Sequence, residues 1–152
     1  MQSKKENRFE FRRRARRRAL QALYQWHLTG QDVGEIIIQF REEQDFSNVD
    51  TELFATLVRK VSRDRQAIDE QIKPFIDRPL AQLDVIEHVI LSIGTYELLN
   101  SIEVPHQVVI DEAINLAKQF GAEQGHSFVN GVLDKAAKQL RDPASLSLLK
   151  SD

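Results

Sequence analysis

The chain has 152 residues, 41% of them hydrophobic, and a formal net charge of −2. That length supports one domain with a sizeable core, and the composition excludes a disordered or fibrous chain. Without cysteine there is no disulfide and no thiolate metal site, which fits a reducing, cytoplasmic setting; no apolar run approaches the roughly 20 residues that cross a bilayer, so no membrane partner is expected, and the charged N-terminus is not of signal-peptide type.

The first predicted element is a helix from about Glu10 to Thr29, with Gly30 just past its end. Six of the seven residues from Arg12 to Arg18 are arginine. Residues 1–18 hold nine basic and two acidic side chains, net +7, against twelve basic and twenty-one acidic in the remainder, net −9. A positive patch on an acidic body draws anions to one place and repels them elsewhere. A like-charge block by itself reads as a disordered tail. Here it is fused to an apolar pattern: Phe11, Ala15, Ala19, Ala22, Leu23 and Trp26 fall on one face at about 100° per residue. Arg13, Arg14 and Arg17 point the other way. Such a helix docks its stripe on a core and holds guanidinium forks toward a polyanion, where they suit phosphate oxygens and stack on bases. Calmodulin-type targets, membrane-surface helices and solubilising arms share the pattern. Tyr24 lies on the charged side. An aromatic there stacks on a base, anchors a protein partner, or is covered by a neighbouring element.

Asp32 caps a second predicted helix with Val33, Ile36, Ile37 and Phe40 on one face. Asp50 caps a third, longer one, in which Leu53, Phe54, Leu57, Val58 and Val61 are continued by Ile68 and Ile72 until Pro74 ends it. Pro79 sits in a connector with room for one helical turn. Asp84 caps a helix from Val85 to about Asn100 that is apolar on more than one face, and so is expected at the centre. Pro105 opens the next element, with the stripe Val109, Ile110, Ala113, Ile114, Ala117 and Phe120 and with Gly121 as its stop. The final helix runs from about Ser127 to Leu140, with Pro143 beyond it. Inside it Gly131 weakens the helix by about 1 kcal/mol relative to Ala, and close approach of a neighbouring helix is the expected compensation. Asn130 beside it is placed to bond a helix end or a nucleotide. Six or seven helices with short connections make an all-α fold: a flexible N-terminal arm over 1–9, a single all-helical domain over 10–142, and a flexible tail over 143–152.

Catalytic and metal-binding patterns are missing from the sequence. His27, His88, His106 and His126 include no i, i+4 pair of the kind a helical metal site uses. The adjacent carboxylates Glu42–Glu43 and Asp111–Glu112 diverge by about 100° on a helix. Neither Gly-rich phosphate loop occurs. These residues describe a binding protein, with no enzymatic activity and no cofactor or metal expected.

Three stretches, RRRARRRALQALYQW at 12–26, VIEHVILSIGTYEL at 85–98 and VPHQVVIDEAINLAKQFGAEQGHSFVNGVLDKAAKQL at 104–140, occur in an order and spacing that resemble the NusB family over nearly the whole chain. The resemblance implies two small helical bundles packed across each other, together forming an RNA-binding domain. It implies a bacterial transcription antitermination factor that binds boxA-type single-stranded RNA as a heterodimer with NusE, a small-subunit ribosomal protein. That pair would act in the transcription elongation complex, with RNA polymerase and other Nus factors, on ribosomal RNA operons. Arg12, Arg13, Arg14 and Arg16 match the family's arginine motif and are implied RNA-phosphate contacts. Arg17 and Arg18 extend the motif, and Arg17 is counted with the RNA set. Phe128 matches a position on the RNA surface. Tyr24 and Glu87 match positions facing NusE, and Gln124 lies in a loop where the family meets that partner. Two positions depart from the pattern: Ser92 replaces an arginine and Gly94 an alanine. A lost arginine implies a lost RNA contact or ion pair, for which Arg17 and Arg18 would compensate. The alternatives are a protein–protein adaptor, the NusB-like RNA-binding module of an RNA-modification system, and a DNA-binding helix-turn-helix regulator.

Overall fold

The computed structural model describes residues 3–142. Among them are seven α-helices, two 3-10 turns and no strand. The helices gather into two compact units, residues 1–64 and 65–152, each taken by itself below. The loose tail expected from Pro143 lies outside the described residues.

The first unit holds α1 (Lys4–Thr29), α2 (Val33–Glu43) and α3 (Thr51–Arg63). α1 begins at Lys4, six residues before the expected Glu10. The cause is a capping box: Ser3 Oγ accepts from the Glu6 amide at 3.1 Å, and Glu6 Oε2 accepts from the Ser3 amide at 3.2 Å. Two orphan helix donors are satisfied that way. At the other end Gly30 takes a left-handed φ of 67° and its amide returns to the Trp26 carbonyl, the stop that glycine allows at low cost. Asp32 and Asp50 cap α2 and α3 as expected, accepting from the amides of Glu35 and Leu53. α1, α2 and α3 pack on one another around fully buried Leu20, Leu23, Ile36, Phe54 and Leu57. Phe54 anchors an aromatic cluster: Phe40 stacks on it at 6.0 Å between centroids, and Phe46 meets it edge-on at 4.9 Å.

The long third helix expected up to Pro74 is broken. α3 ends at Arg63, Asp64 leaves the helical region at φ −98°, ψ 20°, and the second unit opens with α4 (Arg65–Ile72). Pro74 lies inside the 3-10 turn Lys73–Phe75. The turn foreseen after Pro79 is Leu80–Gln82. Then come α5 (Val85–Asn100), α6 (His106–Phe120) and α7 (Gly125–Leu140), with α5 against α4, α6 and α7. α5 is as central as its sequence suggests, since every residue from Glu87 to Leu98 is buried. His88 Nε2 lies 2.7 Å from Asp69 Oδ1, tying α5 to α4. At the far end Arg141 donates to the carbonyls of Glu97, Leu98, Ser101 and Val104 at 2.7–3.1 Å. Those are the last carbonyls of α5 and of the loop after it, where Glu97 and Ser101 also accept from the amides of Ser101 and Val104. Gly121 ends α6 with φ −85°, so its role as a stop needs no left-handed backbone.

Both departures in α5 are internal features. Ser92 is buried and its Oγ donates to the His88 carbonyl at 2.8 Å; the position carries no exposed group for RNA. Gly94 sits under Leu133 of α7, where an added Cβ would be 2.9 Å from Leu133 Cδ1. Gly131 is the reverse case. The expected close approach is absent: the residue is exposed, and a Cβ there meets nothing within 4 Å.

Candidate nucleic-acid interface

The first unit presents the arginine row on α1. Its apolar stripe is realised by Ala15, Ala19, Ala22 and Leu23, at most 1% exposed, while Phe11 and Trp26 are half-buried. The arginines do not form a uniform row. Arg16, implied as a phosphate contact, is 3% exposed: it shares the stripe with Ala19 and Leu20, one turn away, and with Leu23, two turns away.

Arg14 and Arg18, four residues apart, form a second flank that clasps the loop between α2 and α3. Arg14 Nη1 donates to the Asn48 carbonyl at 3.2 Å and Arg18 Nη2 to the Asp45 carbonyl at 3.3 Å. Arg18 also lies over the Phe46 ring at 5.8 Å, with Arg41 over the same ring at 5.6 Å. The Asp50 amide bonds the Phe11 carbonyl, closing the loop along α1. Asp45, whose carboxyl is held below the usual carboxylate range first by hydrogen bonds from Ser47 and also by the Arg18 charge, adds attraction at the same place.

Arg13 and Arg17 form the third flank. The Arg13 side chain keeps 37% of its surface exposed, with Glu10 at 3.8 Å and the Phe9 ring at 5.1 Å. Arg17 is half-exposed, although its Nε is buried without an acceptor. Arg12 is half-buried. Farther along this flank are Tyr24 and Leu28, 36% and 59% exposed. Tyr24 therefore faces outward, as its place on the helix predicts. Spacings of four and seven residues put Arg13, Arg17, Tyr24 and Leu28 on one line of the helix surface.

The second unit presents a separate cluster around the start of α7. Phe128 is half-buried, and the guanidinium of Arg78 lies over its ring at 4.6 Å. Arg78 Nε donates to Asp77 Oδ1 at 2.8 Å. This bond is the main cause that lowers the Asp77 carboxyl and raises Arg78, and the Lys135 charge adds to the effect on Asp77. Asn130 and Gly131 are exposed on the same helix. Gln124, one residue before α7, is exposed with a left-handed φ of 75°, an uncommon conformation for a residue with a Cβ. Glu87, expected to face a partner, is 9% exposed, with its Oε1 packed on the Cα of Gly125. Burial raises its carboxyl pKa, the Asp84 charge adds to this, and the Arg78 charge opposes it. Arg78 was not singled out in the sequence. Its only signal is Asp77-Arg78-Pro79 in a connector, which says nothing of a ring across the fold. Among the described residues no group of three metal-ligating side chains occurs, and no helix is long and apolar enough to cross a membrane.

A family model, the NusB family, matches residues 13–138. The Transcription antitermination protein NusB of Pseudomonas savastanoi pv. phaseolicola is 49% identical over 131 residues, covering 86% of this chain and 79% of the relative. Its namesake from Bordetella pertussis is 50% identical over 134 residues, covering 86% and 87%. Among solved structures, NusB of T. maritima superposes with a TM-score of 0.74 at 29% identity, over 89% of this chain and 96% of that one. Likeness of that extent in sequence and in fold leaves one assignment: the chain belongs to the NusB family.

Proposed function

We propose that this chain is a cytoplasmic transcription antitermination factor that binds boxA-type single-stranded RNA together with NusE. It would act within the elongation complex of RNA polymerase and other Nus factors on ribosomal RNA operons, by binding alone, with no catalytic step and no cofactor. The antitermination role is carried over from relatives of that name at 49–50% identity. The observation that carries the RNA reading is the outward flank of α1, where Arg13 and Arg17 are held on a helix whose opposite face is buried. A guanidinium on a fixed helix keeps its fork in place for phosphate oxygens, so less side-chain freedom is lost on binding.

The flank changes character along its length. Cations at Arg13 and Arg17 suit a phosphate backbone; Tyr24 and Leu28 suit a protein partner such as NusE, as amphipathic and apolar anchors do. Phe128 supplies a ring for a splayed base, with Gln124 and Glu87 beside the same end of α7 on the partner side. Arg12, half-buried like Arg17, belongs to the same phosphate-contacting set, and Arg16 is buried beneath it.

The test is fluorescence anisotropy with labelled boxA RNA, with and without NusE, against duplex DNA of the same sequence at equal salt. RNA held tightly with NusE and DNA held weakly is the expected result. No RNA retention in the presence of NusE would leave a protein-binding adaptor; equal binding of duplex DNA would favour a DNA regulator.

A further inference from the structure

Phe128 does not offer a bare ring. The guanidinium of Arg78 already occupies one face at 4.6 Å, and Asp77 fixes that guanidinium through its Nε at 2.8 Å. Arg78 keeps 43% of its side-chain surface exposed, and Asp77 73%. Asp77 is the only hydrogen-bond partner that the described residues give Arg78. The Nη groups therefore retain their donors. Next to this stack, α7 is unusually bare: Gly131 has open space where a side chain would stand, and Asn130 is exposed.

We infer that Arg78 is itself an RNA-binding residue: its guanidinium, sandwiched between Phe128 and an unpaired base, extends the aromatic platform by one layer and donates from its Nη edge to that base or to the adjoining phosphate. This inference rests on the RNA-binding reading above and names a residue of that site. Guanidinium planes stack on bases as aromatic rings do, and their donors lie in the same plane. Asp77 acts as the positioning residue. It engages Nε and so sets the plane of the fork, at a rim exposed enough for its negative charge to remain solvated. The open backbone at Gly131 lets a ribose or phosphate approach α7 without meeting a side chain. Lys135 contributes charge on the same face, as its effect on Asp77 indicates.

The experiment is anisotropy titration of a short fluorescein-labelled single-stranded boxA RNA into the chain with NusE, comparing wild type with Arg78→Ala, Arg78→Lys and Phe128→Ala. Loss of one stacked layer should weaken binding, so Arg78→Ala should bind roughly tenfold less tightly. Lysine keeps the charge and loses the plane, so Arg78→Lys should recover little of that loss. The double variant Arg78→Ala/Phe128→Ala should lose less than the two single changes multiplied, because both belong to one stack. Thermal melts of Arg78→Ala and Arg78→Lys should coincide with wild type within a few degrees, since Arg78 keeps 43% of its side-chain surface exposed. Full recovery by Arg78→Lys, or wild-type affinity in Arg78→Ala while wild type binds RNA, overturns the inference and leaves the function standing. Weakened NusE binding with unchanged RNA affinity also overturns it, assigning Arg78 to the protein partner. Failure of the wild-type chain to bind this RNA with NusE present overturns the functional reading instead.

Discussion

Glu87 is proposed on the partner side, and its carboxyl is governed by burial within its own unit. The resemblance marks it as partner-facing, yet it is 9% exposed and packed on Gly125. Burial raises its carboxyl above the ordinary value of 4.5, because a low-dielectric site disfavours the charged form. A raised acid pKa means that the folded protein prefers the protonated carboxyl. The stability it contributes is complete below pH 4.5 and is lost as pH rises through the folded value. Glu87→Gln keeps the shape and removes the ionisation. Its melting temperature should therefore exceed that of wild type at pH 7, and the gain should vanish at and below pH 4.5. A gain that persists undiminished in acid would mean that desolvation of Glu87 is not its origin. The same contrast between motif and surroundings runs through the arginines. Their number was legible from the sequence, but their division was not. Six arginines within seven residues satisfy any wheel drawn through their cationic side, whereas the loop carbonyls that engage Arg14 and Arg18 come from residues 27 to 34 positions away. Arg16 is beyond the reach of a hydrophobicity pattern because the pattern treats arginine as an outside residue.

At the level of elements, local signals served best where they were self-contained. Asp32, Asp50 and Asp84 each cap the helix they precede, since an N-cap needs only the amide two or three residues on. The start of α1 is equally local, since Ser3 and Glu6 form its capping box. The break at Asp64 was hidden, because Ile68 and Ile72 continue the stripe in phase across a turn without proline or glycine. Glycine pairs the two kinds of error. Gly131 was expected under a neighbouring helix and stands in the open, while Gly94 is the one beneath Leu133. Gly131→Ala should consequently stabilise the fold by about 1 kcal/mol, the helix-propensity difference. Gly94→Val should destabilise it by roughly 1–3 kcal/mol, as overpacking does in a filled core. Urea titrations would measure both, and equal signs for the two substitutions would refute this reading of α7. If the bare backbone of Gly131 receives RNA, the stabilised Gly131→Ala chain will also bind it less tightly. Stability and affinity would then move in opposite directions.

Across the molecule, the separation of +7 in residues 1–18 from −9 in the remainder makes salt dependence the sharpest discriminator between the roles of the arginines. Each phosphate neutralised on a single strand releases counterions and adds about 0.7 to the slope of log affinity against log salt. Total charge does not set that slope; the number of cations that touch phosphate does. Removing the outward pair, Arg13→Ala with Arg17→Ala, should flatten it by about 1.4 on that scale. Removing the clasping pair, Arg14→Ala with Arg18→Ala, deletes the same formal charge but breaks two hydrogen bonds to the loop. Each is worth about 0.5–1.5 kcal/mol net, and somewhat more for a charged donor. The clasp variant should therefore melt earlier while keeping most of the wild-type slope, and the outward variant should melt normally with a reduced one. The acidic body makes the contrast cleaner, because it repels RNA from surfaces where a lost contact could otherwise be replaced. Identical slopes for the two double variants would mean that RNA senses the arginine block only as bulk charge, and the division of α1 into flanks would then have no bearing on recognition.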